Sequence, residues 1–266
     1  MEQNSTNQNR AHSMRRKGCG INMDKHFYKV LNAKQFAFIV CAVAVSVLLI
    51  FGVDIVYTKA TANQPEQKTL PVIIIDAGHG GEDGGTQSSS GILEKDINLS
   101  ISLKLDALFK SAGFKTVMIR DSDELIYDDS CKTIREKKVS DIHNRMDVML
   151  SYPNGVFLSI HQNHFSESKY HGAQVFYSKN NPESEIIAES IQKSIVEKLQ
   201  NENGRKIKPS GTEIYLLYHA KNPAVMVECG FLSNGGEAQL LNDNDYQNKM
   251  VIAIFDGVAK YLNNRK

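Results

Sequence analysis

Short apolar runs separated by amphipathic helical stretches constrain this chain more than anything else in it. Val72–Ile75 is brief and β-branched, the pattern of a buried strand; Val156–Ile160, Ala173–Tyr177 and Ala224–Val227 read as further buried strands, and Lys115–Ile119 as another strand. Between them, Leu93–Ser111 places Ile97, Ile101, Leu105 and Leu108 on one stripe, with Gly113 as a stop signal. Val139–Leu150 carries Val139, Ile142, Met146 and Met149 on one face. Glu185–Leu199 is amphipathic through Ile187, Ile191 and Leu199, and Asp245–Leu262 closes the chain. The charged stretch 121–137 reads as a surface loop. This alternation predicts a single α/β domain over 71–266, with a mostly parallel, mixed and twisted sheet flanked by helices on both faces. In such sheets ligands gather at the carboxyl ends of the strands.

The chain of 266 residues is 41% apolar and 23% charged, the composition of a folded protein. Wholesale disorder and a disulfide-dense scaffold are thereby excluded. The net charge of +1 excludes a polycation built for nucleic acid, and no nucleic-acid partner is expected. The charge is uneven: residues 1–56 hold seven Lys/Arg against three Asp/Glu, the rest 24 against 27.

Residues 1–34 are polar, basic and without an apolar face, which predicts a disordered cytoplasmic head. The 19 residues from Gln35 to Val53 carry no charge. At a rise of about 1.5 Å per residue they just span a ~30 Å hydrocarbon core. A transmembrane anchor is expected over 35–56, single-pass, with the later residues on the outer face of the cytoplasmic membrane. A cleaved signal peptide is the alternative, with Ala60, Thr61 and Ala62 as its site and a secreted product. Residues 57–70, which include Pro65, read as a linker.

Three polar positions interrupt the apolar pattern at predicted strand ends: His79, His161 and Glu228. Glu94, at the head of the first helix after a glycine-rich turn, is a fourth. Two imidazoles and a carboxylate form a ligand set of catalytic zinc, which leaves a coordination position for water. His79, Glu94 and His161 fill that set, and Glu228 remains as a proton-transfer group. Each has an ordinary reading as well: a structural histidine, a first-turn acid facing the helix dipole, an edge-of-strand carboxylate. His143, His164, His171 and His219 are substitutes, His164 first because it lies three residues from His161. A bridge between Cys131 and Cys229 is open to the chain, but the apolar surroundings of Cys229 favour a buried free thiol.

Taken together, IIIDAGHGGEDGG (73–85), ILEKDINL (92–99), SIHQN (159–163) and VECGFLSN (227–234) resemble the zinc-dependent N-acetylmuramoyl-L-alanine amidases of the amidase-3 type. The resemblance covers about 71–262. It implies His79, Glu94 and His161 as Zn2+ ligands and Glu228 as the catalytic acid/base, with Asn163 and Arg145 in supporting motif positions. It implies peptidoglycan as substrate, cut between the lactyl group of N-acetylmuramic acid and the L-alanine of the stem peptide. Ala77 and the pair Gly84 and Gly85 depart from a common proline-bearing pattern. That form, with GILEKDI, is similar to the short membrane-anchored amidases of the spore cortex. With 66 residues between His161 and Glu228, the resemblance implies an unplugged site or control by an activating accessory protein. The alternatives are another zinc amide hydrolase, a wall peptidase or sugar deacetylase, and a catalytically silent envelope scaffold.

Overall fold

The structure is a computed structural model, and it describes residues 32–62 and 70–265. The chain falls into two units, Met1–Gln67 and Lys68–Lys266. In the first, helix α1 (Ala33–Ala62) covers the uncharged stretch. It also takes in residues 57–62, where the sequence suggests a linker, because no glycine or proline intervenes between Val53 and Pro65. The large side chains of Phe38 and Leu48 are exposed on it. Among the described residues no helix is long and apolar enough to cross a membrane, and the side chains described in α1 stop at Leu49. The expected span over 35–56 is therefore not shown. Residues 1–31 of the expected head and 63–69 of the expected linker lie outside the described residues.

The second unit runs β1 (Ile73–Ala77), α2 (Glu94–Ser111), β2 (Thr116–Met118), α3 (Ile134–Leu150), β3 (Val156–Asn163), β4 (Gln174–Tyr177) and α4 (Pro182–Lys198). It continues with β5 (Lys208–Pro209), α5 (Tyr215–His219), β6 (Ala224–Phe231), α6 (Gly235–Asn242) and α7 (Asn244–Asn264). The six strands lie in the order β2-β1-β3-β6-β4-β5. Neighbours are parallel except β4 against β6. The connection 164–173 between β3 and β4 holds no helix and is too short for a parallel crossover, which fits the reversed direction of β4.

Side-chain alternation along the strands builds a core on each face of the sheet. One face packs Ile73, Ile75, Leu158, Val175 and Val227 under α2, α4 and α7. The other packs Ile74, Phe157 and Met226 against Met146 and Met149 of α3 and Leu216 and Leu217 of α5. Helices thus cover both faces. In α2 the buried stripe is Ile97, Ile101, Leu105 and Phe109, with Leu108 only partly buried.

α3 starts earlier than its apolar pattern suggests. Thr133 accepts from Glu136 N and Glu136 reaches back to Thr133 N, a capping box that nucleates the helix inside the expected loop. Val139 is exposed there, so its place in the apolar pattern is not used for packing.

Candidate active site

The carboxyl ends of β1 and β3 and the first turn of α2 converge on one point. His79 follows β1, Glu94 is the first residue of α2, and His161 lies in β3. Their ligand atoms all lie within 4.8 Å of one another, and among the described residues this is the one group of His, Cys, Asp or Glu side chains able to hold a metal ion. Glu94 is the hinge of the group. Its Oε1 lies 2.9 Å from His161 Nδ1, and its Oε2 lies 3.3 Å from His79 Nε2. Gln162 N and Thr86 N also donate to this carboxylate. Burial resists its ionisation, yet the two imidazoles hold its pKa well below the usual carboxylate range.

The close approach depends on two glycines. A Cβ on Gly78 would sit 2.2 Å from His161 Nε2. One on Gly85, at φ +67°, would sit 2.6 Å from Glu94 Oε2 and 2.7 Å from His79 Cδ2. The glycine-rich turn is therefore part of the site's shape.

Asp83, inside that turn, bonds His79 Nδ1 through Oδ2 at 2.9 Å, while Lys138 Nζ lies 2.6 Å from Oδ1. Burial disfavours a charged His79 ring, but the Asp83 and Glu94 carboxylates outweigh it and carry its pKa up to about 9. Beneath the turn, Arg145 is buried. It pairs with Asp76 at 2.5 Å and Asp141 at 2.6 Å, and donates to the carbonyls of Ala77 and His79. Asp76 also accepts from the Ser159 hydroxyl.

Glu228 lies within β6, opposite His161 across the strand pair. Its Oε2 is buried without a hydrogen-bond partner. Burial pushes its pKa up to about 7, Glu94 adds to the rise, and His161 and His79 oppose it. A carboxyl tuned near neutrality can both take and return a proton. Asn163 lies past an irregularity in the β3–β6 register, half-buried, where its carbonyl accepts from Leu232 N. His164 is exposed and outside the metal-ligating group, as are His143, His171 and His219.

A cavity of about 290 Å³ opens beside His79 and His161. Asp83, Lys138 and Glu213 supply charge to its walls, and Ile142, Tyr215, Leu216 and Met226 supply an apolar side. Cys229 faces away from this chemistry. One residue on from Glu228, it packs into the opposite core, and both it and Cys131 are free, so no bridge joins them.

Residues 73–260 match the Amidase_3 family, N-acetylmuramoyl-L-alanine amidase. The chain belongs to this family. It is 32% identical over 191 residues to the germination-specific N-acetylmuramoyl-L-alanine amidase of Bacillus subtilis (strain 168), covering 72% of this chain and 79% of the relative. It is similar to the CwlD amidase of Clostridioides difficile, solved in complex with the GerS lipoprotein: 40% identity, TM-score 0.71, 74% of this chain and 100% of that one. The amidase AmiC2 of Nostoc punctiforme is similar at 26% identity and TM-score 0.63, over 73% of this chain and 98% of that one.

For an amidase of this family the donor set suits zinc: two imidazoles and one carboxylate of adequate proximity, with an orphaned buried carboxylate oxygen beside them. Three residues at the site have no role in the sequence reading. Asp83 gives no signal beyond its i+4 spacing from His79. Asn98 donates to Glu94 Oε1 and to the Gly78 carbonyl from one helical turn along. Asp76 does leave a trace, a charge closing a run of three isoleucines in a buried strand.

Proposed function

We propose that this amidase hydrolyses the peptidoglycan amide between the lactyl group of N-acetylmuramic acid and L-alanine, with zinc held by His79, Glu94 and His161 and proton transfer by Glu228. The observation that carries the residue assignment is the convergence of those three donors within 4.8 Å, with Glu228 opposite His161. When bound, zinc supplies Lewis acidity toward the scissile carbonyl and toward water. Asp83 orients the His79 ring, and the Gln162 and Thr86 amides hold the Glu94 carboxylate in place. Glu228 takes the proton of the attacking water and returns it to the departing alanine nitrogen as the C–N bond breaks. Asn163 and Arg145 support the site from beyond and beneath it.

The germination-specific relative supports a role in spore-cortex peptidoglycan, and the CwlD complex with a lipoprotein supports an activating accessory partner. The uncharged stretch 35–53 and the basic residues before it support an N-terminal membrane anchor with the catalytic unit outside. The full chain is then expected in the membrane fraction after a high-salt wash. Recovery in the medium with a new N-terminus after Ala62 would replace the anchor with a signal peptide.

Digestion of purified peptidoglycan by the full chain tests the reaction. Released stem peptides carrying a free L-alanine amine are expected, and a chelator should stop their release. New termini inside the stem peptide, or free amino sugars, would instead identify a peptidase or a deacetylase.

A further inference from the structure

His79 is the one non-glycine residue at positive φ, +62°, among the described residues. That conformation is costly for an L-residue and persists only when its surroundings impose it. Two buried guanidiniums bond the main chain around it. Arg120, 2% exposed, donates through Nε to the Ala77 carbonyl at 2.8 Å and through Nη2 to Gly78 O at 3.0 Å. Its remaining bonds go to the carbonyls of Lys95 and Ser122, which tie the turn to α2 and to the loop after β2. Arg145, also 2% exposed, donates to the same Ala77 carbonyl at 2.9 Å and to His79 O at 2.8 Å.

Three consecutive carbonyls, Ala77, Gly78 and His79, are thus each held by a guanidinium, and the first by both. Among the described residues no salt bridge involves Arg120; all its hydrogen bonds go to main-chain oxygens. A buried cation is costly unless paired, and its forked donors are geometrically suited to fixing a backbone. Metal ligands, in turn, need their backbone and ring fixed before the ion arrives.

We propose that Arg120 and Arg145 are positioning residues for His79, clamping the 77–79 carbonyls so that the imidazole is pre-set for the metal. The proposal rests on His79, Glu94 and His161 being the ligand set. The clamp acts through the main chain, whereas Asp83 acts on the ring.

The test uses the metal-stripped full chain, with Zn2+ affinity read by competition against a chromogenic chelator. The unfolding temperature of the metal-free protein and the absorption spectrum of the Co2+ form are read in parallel. Arg120→Lys is expected to lose on the order of 10–100-fold in Zn2+ affinity and to change the Co2+ spectrum. Arg120→Met, which removes every donor, should lose more. Ile187→Val, on the buried face of α4, serves as a destabilised control and should keep both affinity and spectrum. If Arg120→Met does not fold, Arg120→Lys carries the test. Affinity within twofold of wild type in Arg120→Lys, with only the unfolding temperature lowered, would show a purely structural guanidinium and overturn the clamp. His79→Ala separates the two layers: unchanged zinc binding there would overturn the ligand set itself, and the clamp with it.

Discussion

Asp83 fixes the ring of His79: Oδ2 lies 2.9 Å from Nδ1, which leaves Nε2 as the nitrogen that faces Glu94. A carboxylate behind a ligating histidine sets its tautomer and raises its basicity. Asp83→Asn should therefore weaken Zn2+ binding by roughly 10–100-fold, read by chelator competition, with little change in far-ultraviolet circular dichroism. Unchanged affinity would mean that packing alone orients the ring.

Asp76 and Arg145 form a buried pair whose contribution depends on pH. Burial opposes ionisation of Asp76, but Arg145, followed by His161 and Ser159, holds its carboxyl below the ordinary value. A lowered native pKa adds stability above the unfolded value of about 3.9, and that stability is lost as pH falls through the native value. Asp76→Asn should cost about 3–5 kcal/mol in urea unfolding at pH 7, because Arg145 loses one of its two carboxylates. Below about pH 4 the gap between variant and wild type should narrow. A gap that stays constant into acid would contradict the depressed pKa.

Gly85→Ala would place a methyl against both Glu94 and His79, at a positive φ that alanine resists. The expected outcome is a folded protein with a lowered zinc content, measured by metal analysis of the dialysed full chain. Full zinc content would show that the turn relaxes without moving the ligands.

Cys229 is adjacent to Glu228 in sequence but packs in the core on the other face of the sheet, and burial pushes its thiol pKa up strongly. It should be inert to thiol reagents in the native protein and react only on unfolding. Cys229→Ala should leave the cleavage rate within about twofold and cost on the order of 1 kcal/mol in stability. Rapid native labelling would contradict the packing.

The sheet was legible because its central strands carry short apolar runs, such as Ile73–Ile75 and Ala224–Val227, and no other element type suits runs so short. The convergence of His79, Glu94 and His161 was legible because polar residues break or follow those runs near the carboxyl ends of the strands. What stayed hidden was short or came from distant parts of the chain. β5 has two residues and α5 has five, too few for any period to show. α6 opens on Gly235 and Gly236, which read as a turn, although Asn234 caps it through Glu237 N. Arg120 lies 43 residues from Ala77, whose carbonyl it holds, a partnership no local pattern contains. The surface-loop reading of 121–137 failed at its end for a different reason: the signal for α3 is the Thr133 and Glu136 cap, not an apolar stripe.

The most direct measurement compares wild type with Glu228→Gln in the full chain, reading both bound zinc and the release of stem peptides from purified peptidoglycan. The substitution should keep the metal, since Glu228 is outside the ligand group, and lower the rate by about 10²–10⁴-fold through loss of the proton-transfer carboxylate. A zinc-loaded Glu228→Gln protein that cleaves at the wild-type rate would contradict the assignment.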